Sequence, residues 1–271
     1  MTAPRHPARR LDAVLAQLNP GLRDVAANVA AAEGVIAGNP GADLFVFPEL
    51  FLNGYTTRGI EELALDPEGP EVGEMARPAR ESGAAVVFGL HERTGDGVAN
   101  SAVCVDRRGN LAGVYRKTHL FGDERDAFVA GDELLVVDLD GIRAGLMICF
   151  DVEFPEVARA LAQAGAELLV TVSANMDPFG RDHDVFATAR ALENGLPHLY
   201  VNQVGVGERF TFAGGTMAVS ADGDRLAAAD LTEGGIRAPI DLNARNDERP
   251  EDLRPRYLEE MRGALPVRSV G

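Results

Sequence analysis

Short apolar runs alternate along this chain with stretches whose apolar positions recur at helical spacing. Residues 11–18 read as a strand, and Val25, Val29, Ala32 and Ile36 share one helical face with Asp24 near its start. Residues 44–47 are a buried-strand run that leads directly into Pro48 and Glu49. Val72, Met75 and Ala79 mark a second helix, and 84–90 a strand. A hairpin is predicted from 101–105 and 111–115, and Asp140-Gly141 is a tight-turn signal between strands at 134–139 and 142–148. Pro155 opens a helix that Gly165 closes, 168–172 is a strand, and 181–194 is a helix ended by Gly195. Strands follow at 198–202, 216–220 and 225–229. From about 243 the chain turns polar and carries Pro250, Pro255 and Pro266, which reads as a short helix and an arm. No repeat or long linker divides the chain, so one domain over 1–271 with a C-terminal arm is expected. Hairpins mixed with helix-connected strands predict helices layered on sheets of both strand senses.

Composition narrows the partners. The chain has 271 residues, 46% hydrophobic and 25% charged, enough for a substantial core and unlike a disordered chain. A net charge of -16 argues against a nucleic-acid partner, which would call for a basic face. The apolar runs are too short to span a bilayer. The basic start, MTAPRHPARR, is not followed by an apolar signal segment. Two cysteines, Cys104 and Cys149, give no disulfide framework and suit a reducing compartment, so a cytoplasmic location is expected.

The candidate chemistry sits at element ends. Cys149 closes the run RAGLMIC and is followed by Asp151, Glu153 and Pro155. A thiol between a strand end and a helix start can meet unpaired N–H groups, which lower its pKa and offer oxyanion donors. Position alone also fits an inert buried cysteine, and that is the better reading of Cys104, set mid-strand in SAVCV. Glu49, flanked by Val46, Phe47, Leu50 and Phe51, is either a desolvated acid–base group or a carboxylate turned to water. Lys117 is the sole lysine among 26 basic residues, and a compact ammonium does what a guanidinium cannot. Glu124 lies among Asp123, Arg125 and Asp126, where a solvated loop is the plain reading. The five histidines lack metal-ligand spacing, and His119 offers a Cys–His alternative. The glycines at 205–207 and 213–215 do not form a phosphate loop.

Three segments, FPELFLNGY (47–55), YRKTHLF (115–121) and ICFDVEFPE (148–156), resemble in order and spacing the signature blocks of the nitrilase (carbon–nitrogen hydrolase) superfamily. The likeness continues through ARALENGLPHLYVNQVG and FAGGTMAVSADG, and spans residues 11 to about 240. It implies a four-layer α-β-β-α sandwich, a homodimer or higher homo-oligomer, no cofactor and no metal. It places the family's Glu–Lys–Cys set on Glu49, Lys117 and Cys149, and its second glutamate on Glu124. Cys149-Phe150-Asp151 looks like the amidase branches rather than the Cys-Trp-Glu of true nitrilases. The expected activity is hydrolysis of small carboxamides through a cysteine thioester, with the Phe150 N–H as an oxyanion donor. Tyr55, Glu153, Phe154, Asn175 and Met176 are the expected substrate contacts, with Glu153 suited to a substrate ammonium. An N-carbamoyl-amine hydrolase, an omega-amidase or a nitrilase would use the same triad, and a catalytically silent scaffold is the non-enzyme alternative.

Overall fold

A computed structural model describes residues 9–242; the arm expected from about 243 lies outside them. In chain order the elements are β1 (Arg10–Gln17), α1 (Val25–Gly38), β2 (Leu44–Val46), α2 (Pro70–Ser82), β3 (Ala85–Arg93), β4 (Val98–Val105), β5 (Leu111–Arg116) and α3 (Glu124–Ala127). There follow β6 (Val136–Leu139), β7 (Ile142–Ile148), α4 (Pro155–Gln163), β8 (Leu168–Ser173), α5 (Gly180–Asn194) and β9 (His198–Asn202). The last are β10 (Val204–Val206), β11 (Thr211–Ala213), β12 (Met217–Val219), β13 (Arg225–Ala228) and β14 (Gly234–Asp241). Short 3-10 turns occupy Ile60–Glu62 and Cys149–Glu153.

Two six-stranded sheets form, in the orders β14-β1-β2-β3-β4-β5 and β13-β12-β9-β8-β7-β6. Their centres are parallel (β1–β2–β3 and β7–β8–β9) and their flanks antiparallel. Strand alternation builds the layers. In β1, Ala13 and Leu15 join a core shared with Ile148, Val170 and Val201 of the other sheet, while Val14 and Ala16 pack on Val29, Ala32 and Ile36 of α1. On the far side Met147 and Leu169 meet Val157 and Leu161 of α4, and Tyr200 and Met217 meet Ala187 and Ala191 of α5. Both faces of each sheet are covered, which is why the central strands read as continuous apolar runs. The result is the expected α-β-β-α sandwich.

Local signals behave as their chemistry predicts. Asp24 caps α1 by accepting from the Ala27 N–H at 3.0 Å. Pro155 opens α4. Asp140 and Gly141 both take positive φ (56° and 91°), as a two-residue turn between β6 and β7 requires. Three features differ from expectation. β3 continues to Arg93 and pairs back on β4 after a four-residue turn, β10 and β11 form a small hairpin absent from the pattern, and β14, also absent from it, pairs antiparallel with β1 along its whole length.

Candidate active site

The two sheets bring their parallel strand ends together: Glu49 just beyond β2, Cys149 just beyond β7, and Ala174 and Asn175 just beyond β8. Ligand sites gather at the carboxyl ends of parallel strands, where loops leave the sheet. Lys117, one residue beyond β5, faces the same point.

Glu49 is wholly buried. Its Oε1 accepts from Lys117 Nζ at 2.8 Å and from Asn100 Nδ2 at 2.6 Å; its Oε2 accepts from the Ala174 N–H at 2.7 Å. Its position depends on Gly89. The Gly89 N–H donates to the Pro48 carbonyl and its carbonyl accepts from Leu52, so β3 lies flush against the Glu49 turn. A Cβ at Gly89 would stand 2.1 Å from the Leu50 nitrogen, so a side chain there is sterically excluded.

Lys117 is also buried, and its ammonium donates to Glu49 and, at 2.8 Å, to Glu124 Oε2. Tyr55 donates to Glu124 Oε1 at 2.9 Å, and the Phe121 N–H to Glu124 Oε2 at 2.8 Å. One cation thus sits between two carboxylates. Burial works against its charge, but Glu124 and Glu49 outweigh burial and hold Lys117 well above the ordinary lysine range. Glu49 is pushed up by burial, and Lys117 only partly offsets this. A carboxyl raised in this way is a usable proton acceptor and donor nearer neutrality.

Cys149 begins the 3-10 turn with φ 45°, a left-handed conformation that costs a non-glycine residue about 1–2 kcal/mol. Asp151 holds this turn. Wholly buried, it accepts from the Ile148 N–H (2.9 Å), Tyr115 Oη (2.8 Å), Thr118 Oγ1 (3.0 Å) and the His119 N–H (3.0 Å). It therefore ties the loop after Lys117 to the turn that carries Cys149. His119 Nδ1 also bonds Asp151, at 2.9 Å, and its ring stacks on Phe154 at 3.9 Å, so the histidine is engaged there. Glu49, Lys117 and Glu124 all act electrostatically on the Cys149 thiol. One expectation is corrected. The turn does not lower the thiol pKa: burial, then the Glu49 charge, push it up, and Lys117 and Ser173 recover only part.

A small cleft of about 250 Å³, its open mouth included, leads to Cys149. Its walls are Phe121, Phe150, Met176 and Phe179, with Asn175, Glu153 and His183 as polar edges. Glu153, Asn175, Met176 and Phe150 of the expected contacts line it. Tyr55 lies behind Glu124 against Phe210 and Phe212, and Phe154 covers His119. Sequence reading passed over Asn100, Asp151, Ser173, Phe121, Phe179 and His183. Of these only Asp151, two residues beyond the cysteine, carried a local signal.

The sandwich thus gathers a cysteine, a buried lysine and two buried carboxylates at its strand ends. The carbon–nitrogen hydrolase family model matches residues 13–247, and the chain belongs to that family. An (R)-stereoselective amidase of Pseudomonas sp is 40% identical over 223 residues, 81% of this chain and 80% of that one. A carbon–nitrogen hydrolase superfamily protein of Xanthomonas campestris, solved with an arsenic adduct in its active site, superposes with a TM-score of 0.85 at 26% identity, over 96% of this chain and 100% of that one. A mutant amidase of Nesterenkonia sp. AN1, solved with the acetamide moiety of fluoroacetamide added covalently at its active-site cysteine, gives 0.78 at 28%, over 88% and 94%. The chain is an amidase-like hydrolase of carbon–nitrogen bonds in the nitrilase superfamily.

Proposed function

We propose that the chain hydrolyses small, uncharged or cationic carboxamides to the carboxylic acid and ammonia through a thioester on Cys149. The observation that carries this reading is the ammonium of Lys117 clamped between Glu49 and Glu124 beside the cysteine. Glu49 takes the thiol proton as sulfur attacks the amide carbon. Lys117 and the Phe150 N–H, which begins a turn and has no preceding intrahelical acceptor, hold the developing oxyanion. Glu49 returns the proton to the departing ammonia, and then accepts one from the water that cleaves the thioester. Glu124 keeps the ammonium pointed at the reacting oxygen.

The cleft supports the substrate class. The space open inside it, about 20 Å³, lies far below the usual range for drug-sized ligands, about 300–1,000 Å³. Among the described residues its lining contains the Glu153 carboxylate and neither arginine nor lysine. A substrate carboxylate would meet a like charge with no described arginine or lysine to receive it, which disfavours carbamoyl amino acids and omega-amide acids. Ammonia release measured across amides, nitriles, N-carbamoyl compounds and acid-bearing amides tests the reading. Turnover is expected on neutral and amine-bearing amides; preference for acid-bearing or N-carbamoyl substrates would overturn it.

A further inference from the structure

The two oxygens of the Glu49 carboxylate are held unequally. Oε1 accepts two hydrogen bonds, from Lys117 Nζ at 2.8 Å and from Asn100 Nδ2 at 2.6 Å. Oε2 accepts one, from the Ala174 N–H at 2.7 Å. An ionised carboxyl oxygen offers two lone-pair positions. Among the described residues, both are taken on Oε1 and one is left on Oε2. The donors also divide by sheet. Asn100 in β4 and Lys117 just beyond β5 belong to the sheet that leads into Glu49. Ala174 follows β8, the parallel neighbour of β7, and β7 leads into Cys149. Oε1 is thus fastened to its own sheet, and Oε2 is turned to the strand ends of the sheet that carries the cysteine.

Asn100 gives more than it receives. Its backbone carbonyl accepts from the Lys117 N–H at 2.9 Å, so it also fixes the residue that presents the ammonium. Its amide oxygen is buried and meets no hydrogen-bond donor among the described residues. A buried acceptor left unpaired is costly. Turning the amide over would not relieve it, because the amide oxygen would then face a carboxylate oxygen, lone pair to lone pair. The side chain therefore keeps its N–H on Glu49 while its own oxygen goes unpaired. The bond it makes there is charge-assisted, the stronger kind.

We propose that Asn100 is a positioning residue that, with Lys117, saturates Glu49 Oε1 and so directs the proton of Cys149 to Oε2. The proposal deepens the amidase reading and rests on it for the role of Glu49 as proton acceptor. The S–H bond breaks as sulfur bonds to the amide carbon, the carbonyl π pair moves onto its oxygen, and the proton bonds to Oε2. The same oxygen gives that proton to the departing nitrogen as the C–N bond breaks. Swapping the two carboxylate oxygens by rotation would break all three hydrogen bonds, and Gln203 Nε2 holds the Glu49 main-chain carbonyl at 2.8 Å.

The other charged groups around Glu49 are accounted for. Glu124 shares Lys117 and accepts from Tyr55 Oη. His91, on β3 beside the Glu49 turn, is kept neutral by burial and bonds the Thr56 carbonyl. Glu92 of β3 and Arg116 of β5 pair with each other. Cys149 follows β7 and feels the Glu49 charge.

The test reads the lower pH limb of two rates. One is kcat/KM on a small amide. The other is alkylation of Cys149 by iodoacetamide with no amide present, in a Cys104→Ala background. Asn100→Leu removes the donor at near-constant size. Losing one hydrogen bond to the charged carboxylate should move both limbs up by about one to two pH units, because Glu49 then holds its proton more tightly. The plateau above the limb should fall severalfold, since the carboxylate is less firmly placed. A uniform fall with unmoved limbs would make Asn100 a packing residue and overturn the proposal. A higher plateau would mean that freeing Oε1 frees the working oxygen, and would overturn it as well. Should Asn100→Leu fail to fold, Asn100→Ala, which only shortens the side chain, decides by the same limbs. An absence of ammonia release from any amide would strike the amidase reading, and the alkylation limb would still read Glu49.

Discussion

Lys117 shows how much one side chain can carry. Its ammonium fills the gap between two buried carboxylates that would otherwise repel each other. Arginine keeps the charge but spreads it over a plane too large for that gap. Lys117→Arg should therefore lower kcat/KM on an amide by about a hundredfold or more, the usual loss for a misplaced oxyanion donor, while the fold persists. Steady-state kinetics beside circular dichroism would check this, and near-parental kcat/KM would contradict it. Lys117 was legible because it is the chain's only lysine. Glu124 was legible only through resemblance, since Asp123, Arg125 and Asp126 mask it. Asn100 and Ser173 were not legible at all. Their partners lie 51 residues away for Asn100 and 27 for Ser173, and no local pattern encodes such a meeting.

Among the elements, β3 matters beyond its pairing. Gly89 lets its backbone touch the turn that carries Glu49. Gly89→Ala forces a methyl into backbone atoms that have nowhere to move. It should destabilise the protein by about 1–3 kcal/mol and depress kcat far more than a surface Gly→Ala change such as Gly34→Ala, where nothing lies within 4 Å. Denaturant melts and kcat on both variants measure this; equal behaviour of the two would refute it. Helices and central strands were readable because burial on both sheet faces leaves long apolar runs. β14 was not. It is an edge strand with alternating exposure, written GGIRAPID, and its partner β1 lies over 200 residues earlier. The β3–β4 hairpin was missed because His91 and Glu92, polar yet buried, interrupt the apolar pattern where the strand continues.

The whole molecule carries a pH signature separate from the site. Burial pushes His91 and His198 from 6.5 down to about 4, so the fold keeps them neutral. Between those values the unfolded chain binds protons that the folded chain does not. Their contribution is complete above about pH 6.5 and is lost as pH falls towards 4, on the order of 3 kcal/mol for each histidine. Urea melts from pH 7 to 4.5 should show stability falling, and His198→Gln should make the slope shallower. An unchanged slope in that variant would contradict the assignment.

Turnover through a thioester requires that Cys149 become acylated. A rapid acid quench of enzyme turning over a small amide, followed by peptide mass spectrometry, measures it most directly. The substrate's acyl mass should appear on the Cys149 peptide and not on the Cys104 peptide, and Cys149→Ala should show no turnover. Full turnover by Cys149→Ala, with no adduct on the parental protein, would contradict it.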